Sequence, residues 1–193
     1  MKKKIEIEIV QLTHSTMQNH NYAVILGEKH GERRLPIIIG GFEAQAIAVA
    51  LERMSPNRPL THDLLRNIFI DLDVTLEEVV INDYQEGIFY AQLVCSQRGD
   101  HYEIDARSSD ALALAVRVGC PIYTYAEVLE QAGIVIEESL DGSLEARPVA
   151  ESRPKTLASH TVQELEQLLD EALSHEDYER AAAIRDEVKR RSE

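Results

Sequence analysis

The sequence predicts a mixed fold: three strands then two helices, that order run twice, followed by a helical hairpin. Three observations predict it. The N-terminal KIEIEIVQLTH alternates apolar and polar residues, which is the period of a half-buried strand. FEAQAIAVALERM and SSDALALAVRVG are apolar helical runs, and each follows a set of strand-like segments. The C-terminal TVQELEQLLDEALSHEDYERAAAIRDEVKRR carries apolar stripes at helical spacing in two pieces.

In order, KIEIEIVQLTH is the first strand and STMQNHN a turn-rich connection. YAVILGE is the second strand, closed by Gly27, and RRLPIIIGG the third, with Pro36 marking a sheet edge or a bulge. FEAQAIAVALERM is apolar nearly all round, so it is expected to be buried rather than amphipathic. SPNRP breaks the chain, and LTHDLLRNIFIDLD follows as a helix with Thr61 as N-cap and Asp63 in its first turn. The second half repeats the order. VTLEEVVIND, GIFYAQLVCS and HYEIDAR are strands joined by DYQEG and QRGD, which have hairpin-turn chemistry. SSDALALAVRVG is a helix capped by Ser108 or Ser109 and stopped by Gly119. TYAEVLEQAG is a short second helix.

The halves also align residue by residue. Sliding the chain so that Glu43 falls on Asp110 puts Ala44 on Ala111, Ala46 on Ala113, Ile47 on Leu114, Ala48 on Ala115 and Val49 on Val116. Ile37 falls on Ile104. An internal duplication is the expectation.

The texture changes near Ser139. DGSLEARPVAESRPKTLASH is poor in apolar residues and reads as a linker. The expected organisation is a domain over 1–140, a linker over 141–160 and a helical hairpin over 161–193. Thr161 and Glu164 form a capping box, and Ser174 caps the second helix. Such a hairpin buries little surface alone. It is expected to dimerise or to dock on another protein, and the whole chain to be a homo-oligomer.

The net charge is −14, from 20 basic and 34 acidic residues. Phosphate contacts dominate nucleic-acid affinity, so an acidic chain argues against broad nucleic-acid binding unless a local patch or divalent cations offset it. No run approaches the ~20 apolar residues of a membrane span. Cys95 and Cys120, without an export signal, read as reduced thiols of a cytoplasmic protein.

LPIIIGGFEAQAIAVALE, RPLTHDLL, FYAQLV, EIDARSSDALALAVRVGCPIY and AEVLEQAG resemble, in this order, the bifunctional nuclease (BFN) domain. LEQLLDEAL and DYERAAAIRDEV resemble the UVR motif, the helical hairpin of bacterial excision-repair proteins. The resemblance implies an α+β fold, a duplicated β3α2 unit with one curved, barrel-like sheet. It also implies nuclease activity toward DNA and RNA.

It carries no residue assignment, so the candidates rest on chemistry. Glu43 and Asp110 stand in first helical turns, where a carboxylate is stabilised by free N–H groups. Alternatively, with Asp105, they are metal ligands for Mg²⁺ or Mn²⁺, with His62 and Asp63 in the same polar cluster. His62 is a general base or a cap of its own helix. Arg107 either clamps a phosphate or pairs with Glu43 or Asp105; Arg58, beside Pro59, resembles it. Two function classes stand side by side. One is a nuclease, divalent-metal dependent. The other is a non-catalytic binding or regulatory module acting through its hairpin.

Overall fold

A computed structural model describes residues 3–14, 22–138, 144–149 and 185. The chain divides into two compact units, Met1–Ala150 and Glu151–Glu193. The predicted hairpin lies outside the described residues, Arg185 excepted.

The first unit is α+β. Its elements run β1 (Lys4–His14), β2 (Tyr22–Glu28), β3 (Arg33–Ile39), α1 (Gly41–Leu51), α2 (Thr61–Asp71), β4 (Thr75–Gln85), β5 (Ile88–Gln97) and β6 (Asp100–Arg107). Then come α3 (Ser108–Val118), β7 (Ile122–Tyr125), α4 (Ala126–Ala132), β8 (Ile134–Glu138) and β9 (Leu144–Pro148). The described strands form one mixed, curved sheet in the order β6-β5-β4-β7-β1-β2-β3-β8-β9. Every neighbouring pair is antiparallel except β4 with β7. Register shifts in β1 between Ile9 and Gln11, and in β4 at two places, bend those strands.

Local chemistry explains most of these elements. The β4–β5 turn places Glu86 and Gly87 at φ 49° and 87°, and the β5–β6 turn places Arg98 and Gly99 at 53° and 94°. Two successive left-handed residues make the tight hairpin whose twist matches the flanking strands. Gly119 closes α3 at φ 79°, its N–H donating to the Ala115 carbonyl at 2.7 Å. Pro36 pairs with Ile25 on β2, while β8 meets β3 only at Arg33 and Arg34. At Pro36 the other flank of β3 is therefore an edge, where a missing N–H costs nothing.

Four expectations need correction. First, β7 was not anticipated; Ile122 and Thr124 are buried between half-buried tyrosines, but four residues are too few to show a period. Second, the stretch read as linker contributes β9, antiparallel to β8; an edge strand is held by backbone hydrogen bonds and needs no apolar run. Third, α1 is not buried all round. Only Ala44 and Ile47 are buried, and Phe42 is 88% exposed. α3 takes the central place instead, with Ala111–Ala115 entirely within the core beside Val79, Ile81 and Leu93. Fourth, the caps shift by one residue. Leu60 precedes α2, and the Asp63 carboxylate accepts the Leu60 N–H at 2.9 Å. Arg107 precedes α3, with Ser108 and Ser109 buried in its first turn.

Candidate active site

Both α1 and α3 begin where a strand ends, α1 off β3 and α3 off β6. Glu43 and Asp110 are each the third residue of their helix. That common position brings their carboxylates to one place, and Arg107 joins them. Its Nε donates to Asp110 Oδ2 at 2.8 Å, and its two terminal nitrogens donate to Asp110 Oδ1 at 3.3 Å and Glu43 Oε1 at 3.2 Å. His62, in the first turn of α2, puts Nε2 3.0 Å from Asp110 Oδ1. Gly40 leaves room for this: a Cβ there would lie 2.5 Å from Glu43 Oε2.

The electrostatics follow from the contacts. Burial pushes the Asp110 carboxyl up, but hydrogen bonds from Arg107 and His62 outweigh it and hold the group below the usual carboxylate range. The hydrogen bond to Asp110 in turn raises Arg107. The Arg107 side chain is 68% exposed, against 15% for His62. A guanidinium fixed by two acids thus faces solvent with a mostly buried imidazole alongside. Two open clefts meet at Glu43 and Arg107. One, about 520 Å³, is walled by Ile38, Tyr84, Phe89, Ser108 and Ser109. The other, about 440 Å³, is walled by Phe42, Leu60, Thr61, His62 and Asp110.

Residues 24–137 match the bifunctional nuclease domain. The chain belongs to the BFN-domain family. Residues 161–191 match a second family, the UvrB/uvrC motif. Two uncharacterized proteins of Mycobacterium tuberculosis are each 43% identical over 136 residues, which is 70% of this chain and 80% of theirs. Bifunctional nuclease 2 of Oryza sativa subsp. japonica is 28% identical over 116 residues, 58% of this chain and 36% of the rice protein.

Within this BFN domain the remaining candidates fall elsewhere. Asp105 stands exposed on β6 opposite Gln92, two residues before Arg107, and its side chain makes no hydrogen bond or ion pair among the described residues. Arg58 lies exposed in the loop before α2 and borders neither cleft. Among the described residues, no group of three or more His, Cys, Asp or Glu side chains is placed to hold a metal ion. Arg107 occupies the space between Glu43 and Asp110, so the expected trio with Asp105 does not fit a cation in this arrangement.

Asp63 turns away from the cluster. It accepts from Arg117 Nε at 2.6 Å. Burial pushes the Asp63 carboxyl up, but the Arg117 and Leu60 hydrogen bonds outweigh it and hold the group low. Arg117 also donates to the carbonyls of Ala46 and Ala113 at 2.8 and 2.9 Å, with its side chain 5% exposed. One guanidinium therefore ties α1, α2 and α3 together beneath the site. The sequence hid it, because a basic residue in a last helical turn ordinarily serves the helix dipole from the surface.

Proposed function

We propose that this BFN domain cleaves phosphodiester bonds of nucleic acid at Arg107, His62, Asp110 and Glu43. The observation that carries the reading is the solvent-facing guanidinium held in a cleft beside the His62–Asp110 pair, in a chain of this family. Arg107 is the phosphate clamp, since its planar fork matches two phosphate oxygens. Asp110 holds the guanidinium by two bonds and Glu43 by one, so the single bond to Glu43 is the one a phosphate most readily replaces. With Nε2–H donated to Asp110, His62 keeps its lone pair on Nδ1 and acts as general base. It takes a proton from the attacking hydroxyl or water as that oxygen bonds to phosphorus. The P–O bond to the leaving oxygen then breaks, and that oxygen takes up a proton. The name of the rice relative, a bifunctional nuclease, supports the same activity class.

A divalent cation, Mg²⁺ or Mn²⁺, is the expected cofactor only if Arg107 moves off the carboxylates. The deciding experiment is a nuclease assay on full-length protein against DNA and RNA, with and without EDTA. Arg107→Ala and His62→Ala should each abolish cleavage while the fold persists. Wild-type-like cleavage by both variants would move the chemistry elsewhere. Sensitivity to EDTA would show that cleavage needs a divalent metal, and loss of metal binding in Glu43→Ala/Asp110→Ala would assign it to the carboxylates.

The UvrB/uvrC match and the charge of −14 favour a second reading, a regulatory module whose C-terminal segment docks a protein. It predicts no cleavage by wild type, and partner capture lost on deleting residues 161–193.

A further inference from the structure

α2 and its two capping residues carry exposed large apolar side chains; Ile70, 60% exposed, stands apart, and four others fall on one stripe. Leu60, Leu64, Ile68 and Leu72 are 39%, 55%, 41% and 57% exposed, at a spacing of four residues. That spacing makes one continuous stripe along the helix, about 18 Å long at 1.5 Å per residue. The neighbouring stripe of Leu65 and Phe69 packs on the core, so the helix is already anchored by its other face. Phe42, 88% exposed, shares a cleft wall with Leu60 and extends the stripe at its N-terminal end. Together the five side chains present on the order of 500 Å² of apolar surface, near the upper end for the largest patch of an ordinary monomer.

The charges at the two ends say what covers it. Arg58, just before the stripe, is exposed, and its side chain makes no hydrogen bond or ion pair among the described residues. Asp71 and Asp73, at the far end, are likewise exposed, and their carboxylates make no hydrogen bond or ion pair among the described residues. They sit at the negative end of the helix dipole, with no basic residue in the last turn to answer them. We infer that α2 pairs with the α2 of a second copy, antiparallel, about a two-fold axis at the level of Arg66. The stripe is symmetric about that level: Leu64 meets the partner's Ile68, and Leu60 meets the partner's Leu72. The same operation sets Arg58 against the partner's Asp73, and both ends are neutralised at once. An isologous contact needs one self-complementary patch, and this stripe supplies it. With its polar rim it approaches the ~800 Å² per partner of a standard interface.

The test uses full-length protein and light scattering at micromolar concentration. Leu64→Asp/Ile68→Asp should halve the mass seen for wild type and leave the circular dichroism spectrum unchanged, while the concentration dependence of melting that a dimer shows disappears. Arg58→Asp should weaken association several-fold, and adding Asp73→Arg should restore it. Three results would each overturn the inference. They are a monomeric wild type, an assembly that Leu64→Asp/Ile68→Asp leaves intact, and a failure of Asp73→Arg to rescue Arg58→Asp.

Discussion

Replacing Arg117 with methionine should loosen the three-helix layer under the site without changing its chemistry. Methionine keeps the apolar stem of the side chain, so the loss isolates the guanidinium. Gone would be the bond to Asp63 and the bonds to the Ala46 and Ala113 carbonyls. Removing one partner of a buried ion pair costs ~3–5 kcal/mol, because the other charge is stranded. Asp63 is 29% exposed, so water recovers part of its solvation and the lower end applies. Taking about 3 kcal/mol, and ~2–4 °C per kcal/mol for a domain of this size, melting should fall by about 6–12 °C. Calorimetry on the full chain measures this. Arg117→Lys keeps the charge but loses the forked geometry and should fall between the two. A shift under about 2 °C for Arg117→Met would refute the argument, since it would mean that the buried bonds contribute no net stability.

Other outcomes follow from the same contacts. Asp63 and Asp110 are both held below the ordinary carboxylate range. Their contribution is therefore complete above the unfolded value, ~3.9, and is lost as pH falls through the lower folded values; urea unfolding of Asp110→Asn should show a shallower loss in that acid window than wild type. Gly40→Ala places a Cβ against the flexible end of Glu43, so it should reduce cleavage while shifting melting by no more than a few degrees. Truncation after Ala150 should leave the first unit folded. Truncation after Leu140 should destabilise it, because it removes β9 and Val149, which is 5% exposed and donates its N–H to the Gly133 carbonyl at 2.8 Å.

Much of the fold was legible because its devices are local. Alternation marked β1, glycines marked the two hairpin turns, and Gly119 marked the end of α3. What failed was relational. The apolar composition of α1 did not say that α3, rather than α1, would occupy the centre. β7 and β9 owe their existence to neighbouring strands more than to their own residues. The site divided along the same line. Glu43, Asp110 and His62 stand at helix starts, and two such starts converge wherever two strand-to-helix junctions sit side by side. Arg107 was open between a phosphate clamp and an ion pair with Glu43 or Asp105, and the structure pairs it with Glu43 and Asp110. Asp105 and Arg58 had suitable chemistry, but Asp105 joins none of the cluster's hydrogen bonds, although it shares a strand face with Arg107, and Arg58 borders neither cleft. Arg117 left no trace in the sequence, because burial of a single arginine depends on three helices meeting around it.

The strand order has a consequence for how such a chain can be divided. The β1-β2-β3 meander is bracketed by β7 on one flank and β8 on the other, and both come from beyond α3. A fragment ending before β4 would expose β1 at Lys4–Ile7 and β3 at Arg33 and Arg34, as open hydrogen-bonding templates. It would be expected to capture strands from another molecule, or to recover its shape only when the missing fragment is supplied in trans. The two halves can therefore be alike in sequence pattern and still not be interchangeable modules: the later one finishes the earlier one.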